Sequence, residues 1–267
     1  MADLQGSHDI HISIVSHGHG DMLARLLLDL ASSEQSGRFQ LSLTHNILEG
    51  HFELPVMPFP VHQQNNSKRA GFAHNHNQAF AAPPLPDQRR YFLALNPDIR
   101  LGPDVIAALV AELDSRENCG LLAPLVVDSA GQVEQSARSL PSLLSTALRF
   151  LSRQTRLRQD EVSSEGGDPD WVAGMALLFP ADVYEKLGGF DEAYHLYYED
   201  VDISCRVWLS GKRVCQAGSI SVTHDGQWQS RGDWRHMLWH ITSALRFFLS
   251  PVYRQARQFQ QRRHAQQ

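Results

Sequence analysis

Cysteine is scarce in this chain of 267 residues, with only Cys119, Cys205 and Cys215. Three cysteines cannot build a disulfide framework, and the lack of a CxxC pair argues against a zinc ribbon. Long apolar runs are also missing. No stretch approaches the roughly 18 uninterrupted apolar residues of a membrane span. The opening segment, MADLQGSHDI, has no basic and apolar secretion signal, so a reducing, cytoplasmic setting is the expectation. GxGxxG, P-loop and GxSxG patterns are absent, which argues against a dinucleotide enzyme, a P-loop NTPase and an α/β-hydrolase. No internal repeat is found. What is present is core material: 42% of residues are hydrophobic and 20% charged. That excludes a disordered, collagen-like or coiled-coil chain and fits one large domain or two small ones.

Charge is unevenly spread. The net charge is -5, yet from Arg231 onward there are seven arginines and one acid, a balance of +6 against -11 for the rest. An acidic body with a basic tail does not suit a nucleic-acid binder. It suits an enzyme whose C-terminus meets an anionic surface.

The first 115 residues alternate strand and helix signals. Ile10 to Ser16 is a β-branched run broken by His17-Gly18-His19-Gly20, and Met22, Leu23, Leu26, Leu27 and Leu30 then share one helical face. Phe39 to Thr44 reads as a second strand, Glu53 to Ser67 as loop and Gly71 to Ala82 as helix. Tyr91 to Leu95 is a compact strand stopped by Asn96-Pro97-Asp98, Pro103 opens a helix through Leu113, and Leu121 to Val127 is a strand. This order predicts an α/β fold with a mostly parallel sheet flanked by helices. Ligands in such sheets sit at the carboxyl ends of strands, where His17 and Asn96 to Asp98 both fall. Beyond it, Pro141 to Arg158 reads as an amphipathic helix and Asp160 to Asp170 as an acidic loop. Trp171 to Pro180 reads as a strand, Ala181 to Leu187 as a short helix, Tyr197 to Leu209 as a helix and Arg213 to Ala217 as a last strand. Ser221 to Gln227 is predicted as a loop holding His224, and Trp234 to Leu249 as an aromatic helix before a basic tail.

Four clusters carry possible chemistry. Asn96-Pro97-Asp98 could place a carboxylate on a divalent cation against a diphosphate, or be a plain Asx turn. Glu199-Asp200-x-Asp202 could cap a helix through its dipole. Three acids in four residues exceed that need, and one could act as general base toward a hydroxyl. His224 is either a polar surface residue or a metal or phosphate contact. Gly71, with Asn75 and Asn77 after it, permits close backbone approach beside amides suited to base or ribose edges.

Taken in order, these pieces resemble family-2 glycosyltransferases of the GT-A fold, and are most similar to bacterial rhamnosyltransferases that build O-antigen and related polysaccharides. The resemblance runs over roughly residues 10 to 250. It rests on Ile14-Val15-Ser16-His17-Gly18-His19, Gly71-Phe72 with Asn75 and Asn77, and Leu95-Asn96-Pro97-Asp98. It continues through Trp171-Val172-Ala173-Gly174, Gly188-Gly189-Phe190-Asp191, Tyr198-Glu199-Asp200-Val201-Asp202 and His224. It departs at Thr44-His45-Asn46, where an acid usually contacts the base, at Ala79 for a glycine, and at Asn96 for the first acid of Asp-x-Asp.

The resemblance implies one domain, with a nucleotide-sugar half over about residues 8–115, an acceptor half over about 116–230, and a C-terminal amphipathic segment over about 231–267. Asp200 would be the general base with Glu199 beside it. Ser16, His17, Asn46, Gly71, Asn75, Asn77, Asn96 and Asp98 would line the donor pocket. Trp171, Gly174 and Tyr198 would border sugar and acceptor. Asp98 and His224 would face a divalent cation, Mg or Mn. The implied reaction is inverting transfer, expected from dTDP-β-L-rhamnose, onto a polyprenyl-diphosphate-linked glycan at the inner face of the cytoplasmic membrane, an anionic surface. No nucleic acid is expected as partner. The competing readings are a UDP-hexose transferase, a non-catalytic nucleotide-sugar or glycan-binding subunit, and a nucleotidyltransferase. The last would need a lysine-rich N-terminal loop that HGHGDM lacks.

Overall fold

β-Branched residues without a central charge favour an extended chain buried on both faces. Ile10–Ser16 is such a strand, β1, buried along its whole length. The computed structural model describes residues 7–47, 52–85, 88–143, 146, 167–226 and 234–264. Among them β1 lies within a nine-stranded sheet. On one side it pairs in parallel with β2 (Phe39–His45), which pairs in parallel with β3 (Val61–Asn65). On its other side it pairs in parallel with β4 (Tyr91–Leu95). The crossovers are α1 (Gly20–Ala31) and α2 (Phe72–Ala81). α1 buries Leu23, Leu26, Leu27 and Leu30, each contributing about 2 kcal/mol of apolar burial.

The second half runs β5 (Ile99–Arg100), α3 (Val105–Ser115), β6 (Cys119–Asp128), β7 (Val133–Glu134), β8 (Ala137–Arg138), β9 (Trp171–Val172), β10 (Ala176–Pro180), α4 (Ala181–Lys186), α5 (Glu199–Leu209), β11 (Arg213–His224), α6 (Trp234–Leu249) and α7 (Pro251–His264). β10 enters the sheet antiparallel between β4 and β6, while β6 and β11 pair in parallel. The order β3-β2-β1-β4 reverses its direction of growth at β1. A reversal of this kind opens a crevice at the strand ends, and here those ends are Ser16 and Leu95. The expected α/β architecture with a mostly parallel sheet and a C-terminal helical segment is therefore present.

Several element boundaries differ from the sequence reading. Val61–Asn65 is a strand where a loop was expected. It is the partly exposed edge of the sheet, and an edge strand needs no apolar run. The expected strand Trp171 to Pro180 is two strands, because Ala173 to Met175 turns between them. The last strand reaches His224, with an irregularity between Ala217 and Ser221 that the periodicity hid, so His224 ends a strand and is not in a loop. α5 starts at Glu199 because Tyr197 and Tyr198 hold left-handed φ of 70° and 69°. Apart from residues 141–143 and 146, the expected Pro141–Arg158 helix lies outside the described residues, as do residues 160–166 of the acidic loop.

The basic tail is a helix, α7, packed on the body. Tyr253 and Ala256 are buried, the Phe259 ring is 5.9 Å from that of Trp208, and the Arg263 guanidinium sits 4.2 Å above the Trp208 ring. Arg263 Nη2 also donates to the Asp168 carbonyl at 2.7 Å. α7 thereby braces α5 from behind. Among the described residues no helix is long and apolar enough to cross a membrane.

Candidate active site

β4 ends at Leu95, and Asn96-Pro97-Asp98 carries the chain directly into β5. β5 pairs Ile99 with His224, and the Asp225 N–H donates to the Asp98 carbonyl at 2.8 Å. Two chain segments far apart in sequence therefore meet side by side. His224 Nε2 lies 3.2 Å from Asp98 Oδ2, and His224 Nδ1 lies 3.0 Å from Glu134 Oε2 on β7. The hydrogen bond to Asp98, with Glu134 on the other side, holds the imidazole proton up to about pH 9. The second oxygen, Asp98 Oδ1, is buried with no hydrogen-bond partner. A buried carboxylate oxygen without a donor is costly in free energy. A divalent cation would satisfy it, and His224 would join Asp98 as a ligand only once a ring nitrogen gives up its proton to the incoming ion. The residues present thus fit a cation. Among the described residues no third His, Cys, Asp or Glu completes the set, so further ligands would come from a diphosphate and water. A Cβ at Gly226 would collide with the His224 ring, so glycine there leaves the imidazole its place.

The second cluster opens α5. Two consecutive left-handed tyrosines cost roughly 1–3 kcal/mol each, a strain concentrated at functional turns. They turn the chain so that Glu199 and Asp200 occupy the first helical turn. Asp200 Oδ2 accepts the Gly174 N–H at 3.1 Å and Oδ1 accepts the Val201 N–H at 2.8 Å. Glu199 is 5% exposed and its Oε2 has no partner. Burial pushes both carboxyl groups up. Glu199 rises well above the usual range, helped by the neighbouring Asp200 charge. Asp200 rises less, because its two N–H donors and the Arg138 charge favour the carboxylate. Of the pair, Asp200 is the member poised to carry charge. Asp202, also raised by burial, is instead tied to Arg206 Nε at 2.7 Å and faces the brace.

The two clusters are linked through the backbone between β9 and β10. The Asn96 N–H donates to the Met175 carbonyl at 2.9 Å, and Gly174, next in the chain, donates to Asp200. Asn96, Asp98, Gly174, Glu199, Asp200 and His224 are therefore brought together around the ends of β4, β10 and β11.

Other expected site residues have their polar groups committed elsewhere. Asn46 is fully buried: its Oδ1 accepts from Asn66 and from the Ala70 N–H, and its Nδ2 donates to the Ala70 carbonyl. It anchors the 66–70 loop through these groups. Asn75 is likewise buried, accepting from Asn66 Nδ2 at 2.7 Å. Asn77 is spent on Tyr184, Phe190 and Glu192, so it pins the Gly189-Phe190 turn and does not face the donor crevice. Gly71 faces backbone, since a Cβ there would lie 2.6 Å from the His195 carbonyl oxygen. Ser16 is buried beneath the turn, while half-buried His17 stands at the crevice, 3.1 Å from Asn46 Nδ2. Trp171 is buried and donates Nε1–H to the Ser139 carbonyl, and Tyr198 is buried against Phe247. Both therefore lie beneath the molecular surface.

Sequence reasoning missed Glu134, Arg138, Met175 and Tyr197. Glu134 and Arg138 sit on two-residue strands too short to leave a periodic signal. Met175 acts through its carbonyl, which no residue type reveals. Tyr197 donates or accepts at His236 Nδ1, 3.0 Å away, through a contact 39 residues long in sequence.

No family model matches the chain. Over 251 residues it is 26% identical to the rhamnosyltransferase WbbL of Escherichia coli K12, covering 89% of this chain and 92% of that protein. Over 142 residues it is 32% identical to the N-acetylglucosaminyl-diphospho-decaprenol L-rhamnosyltransferase of Mycobacterium tuberculosis, covering 50% of this chain and 46% of that one. Among solved structures it is similar to GalNAc-T7 with UDP, GalNAc and Mn2+ (TM-score 0.60, 15% identity, 80% of this chain and 42% of that one). It is also similar to the mannosyltransferase PcManGT of Pyrobaculum calidifontis with GDP-Man and Mn2+ (0.57, 14%, 89% and 64%) and to Staphylococcus aureus TarS (0.57, 10%, 94% and 68%). The chain is a glycosyltransferase of the GT-A fold. The structural likenesses carry the fold, and the sequence likenesses place the glycosyltransferase beside rhamnosyltransferases.

Proposed function

We propose that this glycosyltransferase moves L-rhamnose from dTDP-β-L-rhamnose, with inversion, onto a glycan carried by a polyprenyl diphosphate. The observation that carries the reading is the joining of Asp98 to Asp200 through Asn96, Met175 and Gly174. It sets a group for the leaving diphosphate and a base for the incoming hydroxyl on one crevice. The rhamnosyl donor and the lipid-linked acceptor are supported by the names of the two sequence relatives. The chain is read as a single domain with a donor half before about residue 115 and an acceptor half after it, joined in the sheet where β10 of the second half pairs β4 of the first.

In the reaction, the Asp200 carboxylate takes the proton of the acceptor hydroxyl as its oxygen attacks the anomeric carbon. The bond from that carbon to the diphosphate breaks on the opposite face, so a β-linked donor gives an α-L-rhamnoside. Burial and the neighbouring Asp200 charge favour the neutral form of Glu199, which lessens the charge the pair must carry. Held by Asp98 and His224, a Mg or Mn ion would neutralise charge on the departing nucleoside diphosphate. Its presence is supported by the Mn2+ in two of the similar structures. His17 lines the nucleotide end, and the arginine-rich C-terminal region faces an anionic membrane at its inner leaflet.

Incubation with dTDP-rhamnose and a GlcNAc-diphospho-lipid, with product followed by mass spectrometry, tests the reading. Transfer by the parent and its loss in Asp200→Asn are expected. UDP-hexoses in parallel test the rival donor. No transfer from any nucleotide sugar by the parent, with binding retained, would favour a non-catalytic sugar-binding subunit instead.

A further inference from the structure

A second cleft lies behind α5. It is lined by the turn from Asp191 to His195, by Asp202 on α5, by α6 from Thr242 onward and by the start of α7, and its volume is about 610 Å³. Small-molecule sites occupy roughly 300–1,000 Å³. Its origin is local. Pro251 has no N–H with which to continue α6, and its ring would crowd the Phe247 carbonyl in a helix. The Ser250 N–H closes α6 on that carbonyl at 3.0 Å, and α7 begins at Pro251. The corner so formed meets the 191–195 turn across the cleft.

The cleft is separate from the reaction crevice. Asp200 and Asp202 are two residues apart on α5, which turns their side chains roughly 200° from each other. Asp200 reaches Gly174, whereas Asp202 reaches Arg206 and lines the cleft. The helix itself stands between the cleft and the Asp200 carboxylate.

The lining selects a chemical class. Asp191 and Asp202 are set against Arg246, and burial keeps the His195 ring neutral. An anion would find no surplus of positive charge there and would face two carboxylates. A hydroxyl-rich neutral molecule finds acceptors. Asp202 accepts Arg206 Nε–H at 2.7 Å on Oδ2, and Asp191 accepts the Ala193 N–H at 2.9 Å on Oδ1, so each bond uses one oxygen of its carboxylate. The Thr242 hydroxyl donates back to the Leu238 and Trp239 carbonyls, which leaves its oxygen to accept. Arg246 is exposed and supplies donors at the edge. Tyr194, 1% exposed, and Val252 give the cleft apolar surface, and the His195 ring stands 4.8 Å from that of Trp239. A sugar ring has the matching character, an apolar C–H face with hydroxyls along its edge.

We propose that this cleft binds a short neutral oligosaccharide, as a site separate from the crevice in which transfer occurs. Glycans are the hydroxyl-rich compounds that a glycosyltransferase handles, and the cleft is large enough for more than one sugar ring. The proposal stands on the cleft and is independent of the donor and acceptor assigned above.

The test uses the full chain and saturation-transfer NMR with the neutral trisaccharides of N-acetylglucosamine, glucose and mannose, beside the acidic trisaccharide of galacturonate. Two variants accompany the parent. Ala193→Trp places an indole in the cleft. Asp191→Asn keeps the oxygen that accepts the Ala193 N–H and removes the charge. At least one neutral trisaccharide should bind the parent, and galacturonate should bind more weakly. Both variants should lose at least about tenfold in affinity for the neutral ligand, with thermal unfolding unchanged. The same trisaccharide carrying a photoreactive diazirine should label peptides from residues 191–195 and 242–252, read by mass spectrometry. Failure of every neutral trisaccharide to bind would overturn the proposal, as would unchanged affinity in either variant. Label confined to the peptides around Asp98 and Asp200 would place the sugar in the reaction crevice and overturn the separate site. Tighter binding of galacturonate would overturn the neutral class.

Discussion

Two histidines deep in the sheet make a quantitative prediction about acid stability. His11 on β1 and His76 on α2 are fully buried. His11 Nε2 meets Ser42 Oγ at 2.9 Å and His76 Nδ1 meets Ser13 Oγ at 2.8 Å, while His11 Nδ1 and His76 Nε2 have no partner. Burial, with nearby positive groups adding to it, lowers both to about 3 from 6.5. The folded protein therefore keeps both rings neutral, whereas the unfolded chain protonates them below pH 6.5. Their contribution to stability is fully present above that pH and is lost as pH falls toward 3. Each histidine gives up about 1.4 kcal/mol per pH unit, or about 2 kcal/mol at pH 5 and about 4 kcal/mol for the pair. That is a large share of a typical stability of about 5–15 kcal/mol. The buried carboxyls of Glu199, Asp200 and Asp202 are raised, so they act in the opposite direction. They are common to parent and variant and cancel in the difference. Urea unfolding of the parent and of His11→Gln/His76→Gln, from pH 8 to 4.5, isolates the two rings. The stability advantage of the parent should shrink by about 2.7 kcal/mol per pH unit below pH 6. A difference that stays constant across that range would refute the reasoning.

Other expectations follow from the crevice. Asp200→Asn should lower turnover about 10²- to 10⁴-fold, measured as rhamnoside formed per enzyme, while leaving donor binding in place. The acidic limb of the pH–rate profile should lie above the ordinary carboxylate range, because burial raises Glu199 and Asp200, and activity should fall as pH drops through it. Chelation with EDTA should stop transfer, with Mn or Mg restoring it in the parent but far less in Asp98→Asn, whose Oδ1 is the buried oxygen without a donor. Gly71→Ala should cost about 1–3 kcal/mol of stability by chemical denaturation, since its Cβ would press on the His195 carbonyl at 2.6 Å.

Much of the donor half was legible because its signals are local. The runs at Ile10 and Tyr91 and the leucine face of α1 declare themselves within a few residues, and the parallel order follows from their alternation. The position of Asp98 at a strand end was readable for the same reason. Contacts set by distant pairing were not readable. Asn46, Asn75 and Asn77 carry the amide chemistry that suits a nucleotide, but their partners are Ala70, Asn66 and Phe190, which only the folded chain brings near. Glu134 reaches His224 across 90 residues, and Met175 contributes a carbonyl. The break at Gly174 was hidden because WVAGMALLFP is apolar throughout. The C-terminal region was read as an aromatic helix, Trp234 to Leu249, followed by a basic tail. The fold adds that this tail is itself a helix, α7, which braces α5, while α6 leaves Trp234, Leu238 and Leu245 exposed.

The most direct test of the account is the anomeric configuration of the product formed from dTDP-β-L-rhamnose, read by proton and carbon NMR for the parent and for Asp200→Asn. An inverting displacement with Asp200 as base predicts an α-linked rhamnoside from the parent and almost none from the variant. A β-linked product, or an α-linked product formed as fast by Asp200→Asn, would contradict it.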